Sequence, residues 1–113
     1  MHELSLVEGI VDLIAEEARA RAFSRVRVIH VSVGALGGAE PEALRFCFDA
    51  VARGTIADGA RLEIRTVPAL GWCSECSRQT PLAERFSECP ACGRAPLRIL
   101  AGDELRLSEL EVE

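Results

Sequence analysis

The chain has 113 residues and a formal net charge of −5 at pH 7, and apolar residues make up 49% of it. This balance is typical of one folded domain, or of one small domain with a satellite, and the acidic charge argues against a general binder of nucleic acids or anionic membranes. All 13 basic residues are arginine, so a P-loop lysine and a Schiff-base lysine are both excluded.

The first half of the chain predicts a helix, a strand and a second helix. Apolar residues recur at helical spacing over residues 4–22, and Ser5 with Glu8 fits a capping box at the start. Residues 25–33 alternate as a strand, and the glycines that follow end it. Pro41 then opens a second helix. The apolar stripe of this helix consists of Leu44, Cys47, Phe48 and Val51.

Two further strands are predicted, one on either side of a cysteine-rich segment. Residues 60–67 alternate apolar and charged side chains, and residues 104–113 do so with a phase shift that indicates a bulge near Ser108. The simplest fold is of the α+β or α/β class, with two helices on a three-stranded sheet and an inserted four-cysteine zinc ribbon. The predicted domains are an α/β domain, residues 1–69 plus 103–113, and a zinc-ribbon domain, residues 70–102.

Four of the five cysteines form the pattern C-x2-C-x12-C-x2-C and are Cys73, Cys76, Cys89 and Cys92. Two intervening residues let both thiolates of a pair reach one ion from a single turn, and two such turns complete a tetrahedron around Zn²⁺. Disulfides need an oxidising compartment, and a catalytic zinc keeps an open coordination position. The pattern therefore favours a structural zinc site. The fifth cysteine, Cys47, is interpreted as a small buried apolar residue.

The sequence gives no sign of membrane insertion or export. Its apolar runs are only a few residues long, far shorter than a membrane span requires. The first apolar stretch is flanked by acidic residues on both sides, whereas a signal peptide starts with basic residues. We therefore expect a cytoplasmic protein.

Several segments together carry a resemblance to a known family. The chain begins Met1-His2-Glu3-Leu4-Ser5-Leu6, continues with Glu40-Pro41-Glu42-Ala43-Leu44-Arg45-Phe46 and the two CxxC pairs, and ends with Gly102-Asp103-Glu104-Leu105 through Leu110-Glu111-Val112-Glu113. This combination closely resembles the HypA/HybF family of hydrogenase nickel-incorporation proteins over essentially the whole chain.

The resemblance implies a function and a set of metal ligands. Members of the family are nickel metallochaperones rather than enzymes, and they deliver Ni²⁺ during maturation of [NiFe]-hydrogenase and, in some organisms, of urease. Their implied partners are a HypB-type GTPase, the hydrogenase large subunit and, for urease, its maturation proteins. Nickel is expected at the N-terminus, through His2, the amine of Met1 and Glu3, which makes the α/β domain the nickel-binding domain. The four cysteines are expected to hold zinc.

The first three residues suit this chemistry. They offer an amine, an imidazole and backbone amides, and Ni²⁺ takes nitrogen ligands in square-planar geometry. Glu3 has two further interpretations, as a hydrogen-bond partner of His2 or as an acid that complements the dipole of the first helix. His30 is interpreted as an exposed strand residue, and Glu40 as a residue of the helix entry.

Two other classes of function remain open, a zinc ribbon that binds nucleic acids and an adaptor that docks proteins. The ribbon mixes arginines with glutamates and carries few aromatic residues, which gives the nucleic-acid class weak support. No histidine lies beside its cysteines, whereas some relatives have histidines there. A histidine-based switch in the ribbon is therefore not expected.

Overall fold

The computed structural model describes residues 3–85, 87–94 and 96–113. Its elements, in chain order, are α1 (Glu3–Arg21), β1 (Val26–Gly34), α2 (Pro41–Ala52), β2 (Arg61–Val67), β3 (Leu70–Cys73), β4 (Arg78–Pro81), β5 (Arg98–Ala101) and β6 (Leu105–Val112). The predicted fold, two helices with a three-stranded sheet and a four-cysteine segment, is confirmed. None of the helices within the described residues is long and apolar enough to cross a membrane.

The first helix, α1, spans Glu3–Arg21 and so differs from the prediction by one residue at each end. Val7, Ile10 and Ile14 are its buried residues. Their spacing of three and four positions puts them on one side of the helix, where they can pack on the core. Ser5 lies inside the first turn, two residues after the helix begins, so the predicted capping box is wrong.

The second helix, α2, begins and ends at the residues that its sequence indicates. Glu40 is the N-cap, with extended backbone angles of φ −85° and ψ 125°, and Pro41 follows in the first turn. Proline suits this position because the N–H that it lacks would have no acceptor in the helix. Just after the helix, Gly54 has a φ of +80°, which glycine adopts without strain. The buried residues recur at every fourth position: Leu44, Phe48 and Ala52.

The larger sheet has the strand order β2-β1-β6, with β1 in the middle. Two side-chain contacts join β1 to β6 and to the residue that follows it. The Nε2 atom of His30 lies 2.8 Å from the carboxylate of Glu111, and the Nε atom of Arg27 lies 3.6 Å from that of Glu113. The middle strand is mostly apolar and buried, as expected for a strand covered on both faces. Its buried apolar residues are Val26, Val28, Ile29, Val31 and Val33.

The chain divides into two compact units, which are described separately. The first unit comprises the residues up to Val31, together with Ala39–Arg65 and Arg106–Glu113. The second unit comprises Ser32–Gly38 and Thr66–Leu105. Both helices therefore belong to the first unit, and all four cysteines of the CxxC pairs belong to the second.

The second unit has a sheet of its own, with the strand order β4-β3-β5. The middle strand, β3, pairs antiparallel with both neighbours, and Trp72 lies opposite Gln79 in β4 and Arg98 in β5. The predicted zinc-ribbon range, 70–102, contains all three strands. The boundaries of a separate zinc-ribbon domain stay a prediction.

Within the second unit, backbone segments approach one another too closely to leave room for side chains. The N–H of Gly34 donates to the carbonyl oxygen of Glu104 at 2.8 Å, and the N–H of Leu36 donates to that of Gly102 at 2.7 Å. A Cβ atom on Gly34 would overlap the carbonyl group of Gly102. A Cβ atom on Gly102, whose φ is +97°, would lie 2.5 Å from the Cα atom of Ala69. Glycine is therefore required at both positions.

We expect Gly34→Ala to destabilise the zinc-loaded protein by about 3 kcal/mol, because the added methyl group overlaps backbone atoms that cannot rotate away. Urea unfolding followed through the fluorescence of Trp72 would measure the change in the second unit. Gly9→Ala is the matched control, since a Cβ atom at Gly9 on α1 meets nothing within 4 Å. That variant should stabilise α1 by about 1 kcal/mol. Equal unfolding midpoints for Gly34→Ala and wild type would contradict the close approach.

Candidate metal centres

The first pair of cysteines lies where β3 turns into β4. Cys73 is the last residue of β3, and it pairs in register with Arg78, the first residue of β4. Ser77 has a φ of 52°, which tightens the connection between the strands. The N–H of Cys76 donates to the Sγ atom of Cys73 at 3.4 Å. The turn thus holds the two sulfur atoms near one point.

The second pair lies on a turn rather than on a hairpin of long strands. The N–H of Gly93 donates to the carbonyl oxygen of Cys89 at 2.8 Å, which closes the turn around Cys92. Gly93 has a φ of +64°, a conformation that favours glycine. A single β-bridge between Glu88 and Pro96 is the pairing that flanks this turn. Local backbone geometry therefore positions the second pair of sulfur atoms.

The four sulfur atoms converge on one point. All of them lie within 4.8 Å of one another. The Sγ atoms of Cys73 and Cys92 are 3.6 Å apart, and those of Cys76 and Cys89 are 3.9 Å apart. Tetrahedral Zn²⁺ with Zn–S bonds of 2.3 Å separates its sulfur ligands by about 3.8 Å. The cluster therefore has both the donor set and the dimensions of a tetrahedral zinc site.

Side-chain and backbone hydrogen bonds make the pKa values of the thiols in the cluster unequal. Hydrogen bonds with the side chains of Cys92 and Cys73 raise the pKa of the Cys76 thiol to about 12. Hydrogen bonds from the backbone N–H groups of Cys92 and Ala91 lower the pKa of Cys89 to about 6, because these donors stabilise a thiolate. A divalent cation at the centre favours the thiolate form at every ligand. A cation bound at the centre would therefore favour the thiolate form at all four cysteines, including Cys76.

A small apolar core surrounds the sulfur atoms. Buried Ala69, Leu82 and Leu97 pack with Cys73 and Cys89 in one cluster. Such a shell limits the access of water to a metal centre and fixes its ligands. Leu36 also packs against this cluster, although it comes from the glycine-rich segment after β1. The sequence carried no signal for this contact, since a single leucine between glycines has no periodicity.

The residues expected to bind nickel are described only in part. Met1 and His2 lie outside the described residues. Glu3 is the first residue of α1, and its carboxylate accepts a hydrogen bond from the backbone N–H of Glu40 at 3.2 Å. Glu40 in turn is the N-cap of α2, in line with the helix-entry interpretation. This contact holds the start of α1 beside the start of α2.

Two further residues with side chains that can bind metals, His30 and Cys47, belong to the first unit. His30 is half-buried on β1, where it pairs with Glu111, rather than being fully exposed as predicted. Cys47 on α2 is half-buried and has a free thiol. Within the described ranges, the four-cysteine cluster is the one group of three or more potential ligands close enough to hold a metal ion.

The fold and the sulfur cluster define a small α/β metalloprotein that carries a zinc ribbon. Over residues 1–112, the sequence matches the family model described as hydrogenase/urease nickel incorporation, metallochaperone, HypA. The chain belongs to this family, and the resemblance stated from its motifs is confirmed.

Relatives and solved structures agree with this assignment. A hydrogenase maturation factor HypA from Methylocella silvestris is 64% identical over 113 residues, with 100% of both chains covered. A HypA from Rhodopseudomonas palustris strain BisB5 is 52% identical with the same coverage. The solution structure of the Ni metallochaperone HypA from Helicobacter pylori shares the fold, with a TM-score of 0.76 and 24% identity over 99% of this chain and 97% of that one. A second solution structure of a HypA protein has a TM-score of 0.73 and 25% identity over 100% of this chain and 97% of that one.

We expect Cys76→Ser to lower zinc affinity by about 100-fold or more, because changes outside the ligand set alone cost 10- to 100-fold. Zinc content after dialysis against a weak chelator would measure the loss. Cys47→Ser is the matched control, since it also removes one half-buried thiol but lies on α2. Full zinc retention in Cys76→Ser, or equal loss in both variants, would contradict a four-cysteine site.

Proposed function

We propose that this chain carries Ni²⁺ at its N-terminus and delivers it during maturation of [NiFe]-hydrogenase. The observation that carries the proposal is the match of residues 1–112 to a family of nickel-incorporation metallochaperones. The names of the similar proteins, which are hydrogenase maturation factors, favour hydrogenase as the recipient. Urease is a second proposed recipient, since the family description includes it.

In this proposal, nickel is the cargo and binds through nitrogen ligands. The imidazole of His2 and the amine of Met1 coordinate the ion, together with backbone amides of the first residues. Nitrogen ligands suit Ni²⁺ in square-planar geometry. The N–H groups in the first turn of any α-helix lie outside the helical hydrogen-bond ladder. A metal that takes amide nitrogens where α1 begins therefore breaks no bond of that ladder.

Glu3 is proposed to support the nickel site in two ways. Its carboxylate accepts a hydrogen bond from the N–H of Glu40, which fixes the residue directly after His2. Its negative charge also offsets the repulsion between a divalent cation and the positive N-terminal end of α1. Glu3 thus acts as a ligand or as a residue that orients His2.

The zinc site is proposed to be structural. Four thiolates complete a tetrahedron and leave no open position for a substrate. The protein would then catalyse no covalent reaction of its own and would exchange nickel with other proteins. The proposed partners are a HypB-type GTPase, the hydrogenase large subunit and, for urease, its maturation proteins. The proposed location is the cytoplasm, where unpaired cysteines stay reduced and available to zinc.

We expect zinc-loaded protein without an N-terminal tag to bind about one Ni²⁺ per chain at neutral pH, a stoichiometry that one square-planar site sets. In His2→Ala, affinity should fall by about 100-fold or more, because a ligand is lost. Isothermal titration calorimetry, with zinc measured in the same samples, would test this. His30→Ala is the matched control, since it removes the other histidine, which pairs with Glu111.

Unchanged nickel binding in His2→Ala would overturn the N-terminal site. Equal loss of nickel in both histidine variants would overturn it as well, because the effect would then not depend on the position of the imidazole. Loss of zinc together with nickel in His2→Ala would contradict the assignment of the two metals to separate sites.

We expect saturating Ni²⁺ to slow acylation of the α-amine of Met1 by about tenfold or more, because a coordinated amine has no free lone pair. The chain contains no lysine, so an amine-selective reagent reports on this one group. Intact-mass spectrometry would follow the reaction, and His2→Ala treated with the same nickel concentration is the control. Equal acylation rates with and without nickel would count against coordination by the amine.

A further inference from the structure

The strand β6 lies at an edge of the larger sheet. Within the part of the chain that the structure describes, the strand order β2-β1-β6 places no strand on its outer side. Alternate backbone N–H and C=O groups of an edge strand point away from the sheet and can pair with another strand. β6 spans eight residues, Leu105–Val112, which is long enough to pair with an extended peptide.

A groove of about 500 Å³ lies between α1 and the C-terminal part of β6, from Leu107 to Val112. Phe23, Leu107, Leu110 and Val112 give it an apolar lining. Glu17 and Arg21 of α1 also border it, and they form an ion pair in which the Nε atom of Arg21 lies 2.8 Å from the carboxylate of Glu17. Val112 is 42% exposed. A strand added to β6 would place every second side chain along this lining, because side chains alternate between the two faces of a sheet.

The apolar surface continues along α1. Leu13 lies one helical turn before Glu17, on the same side of the helix, and it is 48% exposed. An extended segment paired with β6 could therefore cover Leu13 as well as the groove. Scattered exposed leucines are ordinary, but an apolar row that borders an open strand edge is typical of an interaction site.

The charge of the segment that contains β6 indicates which kind of strand can pair with it. From residue 104 to the end of the chain, the segment carries Glu104, Glu109, Glu111 and Glu113 against one basic residue, Arg106. Glu111 and Glu113 are paired with residues of β1, whereas Glu109, at the groove, forms no ion pair among the described residues. Pairing with the β6 of a second copy would set two acidic strands side by side, which like-charge repulsion disfavours. A strand with basic residues would instead be attracted by the acidic side chains of this segment.

We propose that β6 and the groove beside it dock an extended segment of another protein, one that alternates apolar and basic residues and adds a fourth strand to the sheet. Main-chain hydrogen bonds to β6 hold the segment, its apolar side chains cover the groove, and a basic side chain faces Glu109. This surface works independently of the metal sites, so the zinc-loaded protein carries it with or without nickel.

The probe is an acetylated and amidated eight-residue peptide of alternating valine and arginine, titrated into ¹⁵N-labelled, zinc-loaded protein. We expect chemical-shift changes at the amides of β6 and of residues 17–23, and a dissociation constant below about 1 mM. Amide hydrogen exchange should slow at the outward N–H groups of β6. Glu109→Arg should weaken binding about fivefold, the upper range for one exposed ion pair.

The matched control for charge is Glu16→Arg, which makes the same charge change on α1 outside the groove and should leave the affinity unchanged. Two control peptides separate the contributions, one with glutamate in place of arginine and one with proline at its central valines. Neither should bind. Equal binding of the proline peptide would overturn strand addition, and shifts confined to another surface would overturn the site. Concentration-dependent self-association that protects the β6 amides would assign the edge to a second copy and overturn the proposal too.

Discussion

The convergence of four sulfur atoms on one point is the constraint on which the second unit depends. The three strands of its own sheet have only four residues each. Among the residues that the structure describes, two of the five buried members of its core cluster are cysteines, Cys73 and Cys89. So few apolar side chains cannot offset the chain entropy of folding. Binding of a structural zinc ion is worth about 10–16 kcal/mol in small zinc modules. The proposed structural zinc would therefore supply stability that this small apolar core does not provide.

The first unit is held together by different forces. Its core is apolar and includes the aromatic ring of Phe48, and most of the side chains that form it come from two amphipathic helices and a mostly apolar middle strand. No metal is needed for such packing, since burial of apolar surface is sufficient. The proposed nickel site belongs to this unit, at the start of α1. Loss or gain of the cargo then leaves the core of either unit intact, which a protein that repeatedly binds and releases an ion requires.

Sequence periodicity and spacing predicted much of this structure, but only where an element is determined by residues that are close together in the sequence. The helical spacing of apolar residues in α1 and α2 and the alternation of apolar and charged residues in β2 are local patterns. The turn geometry that lets a CxxC pair chelate one ion is local as well. The strands β3 to β5 were not predicted, because segments such as Leu70–Cys73 are too short to show alternation. The contact of Leu36 with the sulfur cluster and the hydrogen bond from Glu40 to Glu3 join distant parts of the chain. No sequence pattern near Leu36 or Glu40 indicates these contacts, so only the three-dimensional structure reveals them.

The two proposed metal sites differ in how firmly the chain holds their ligands. The proposed zinc ligands come from two turns, with β4 between them in the chain, and two of the four, Cys73 and Cys89, are almost completely buried. Release of zinc would require these two buried thiolates and their two half-buried neighbours to leave the ion. The proposed nickel ligands come from the first three residues of the chain, and Glu3 among them accepts a hydrogen bond from the backbone N–H of Glu40. A recipient could then replace the amine and the imidazole one at a time. In the proposed function, soft thiolates hold the structural zinc ion, and nitrogen ligands in the first residues of the chain hold the nickel ion that is delivered.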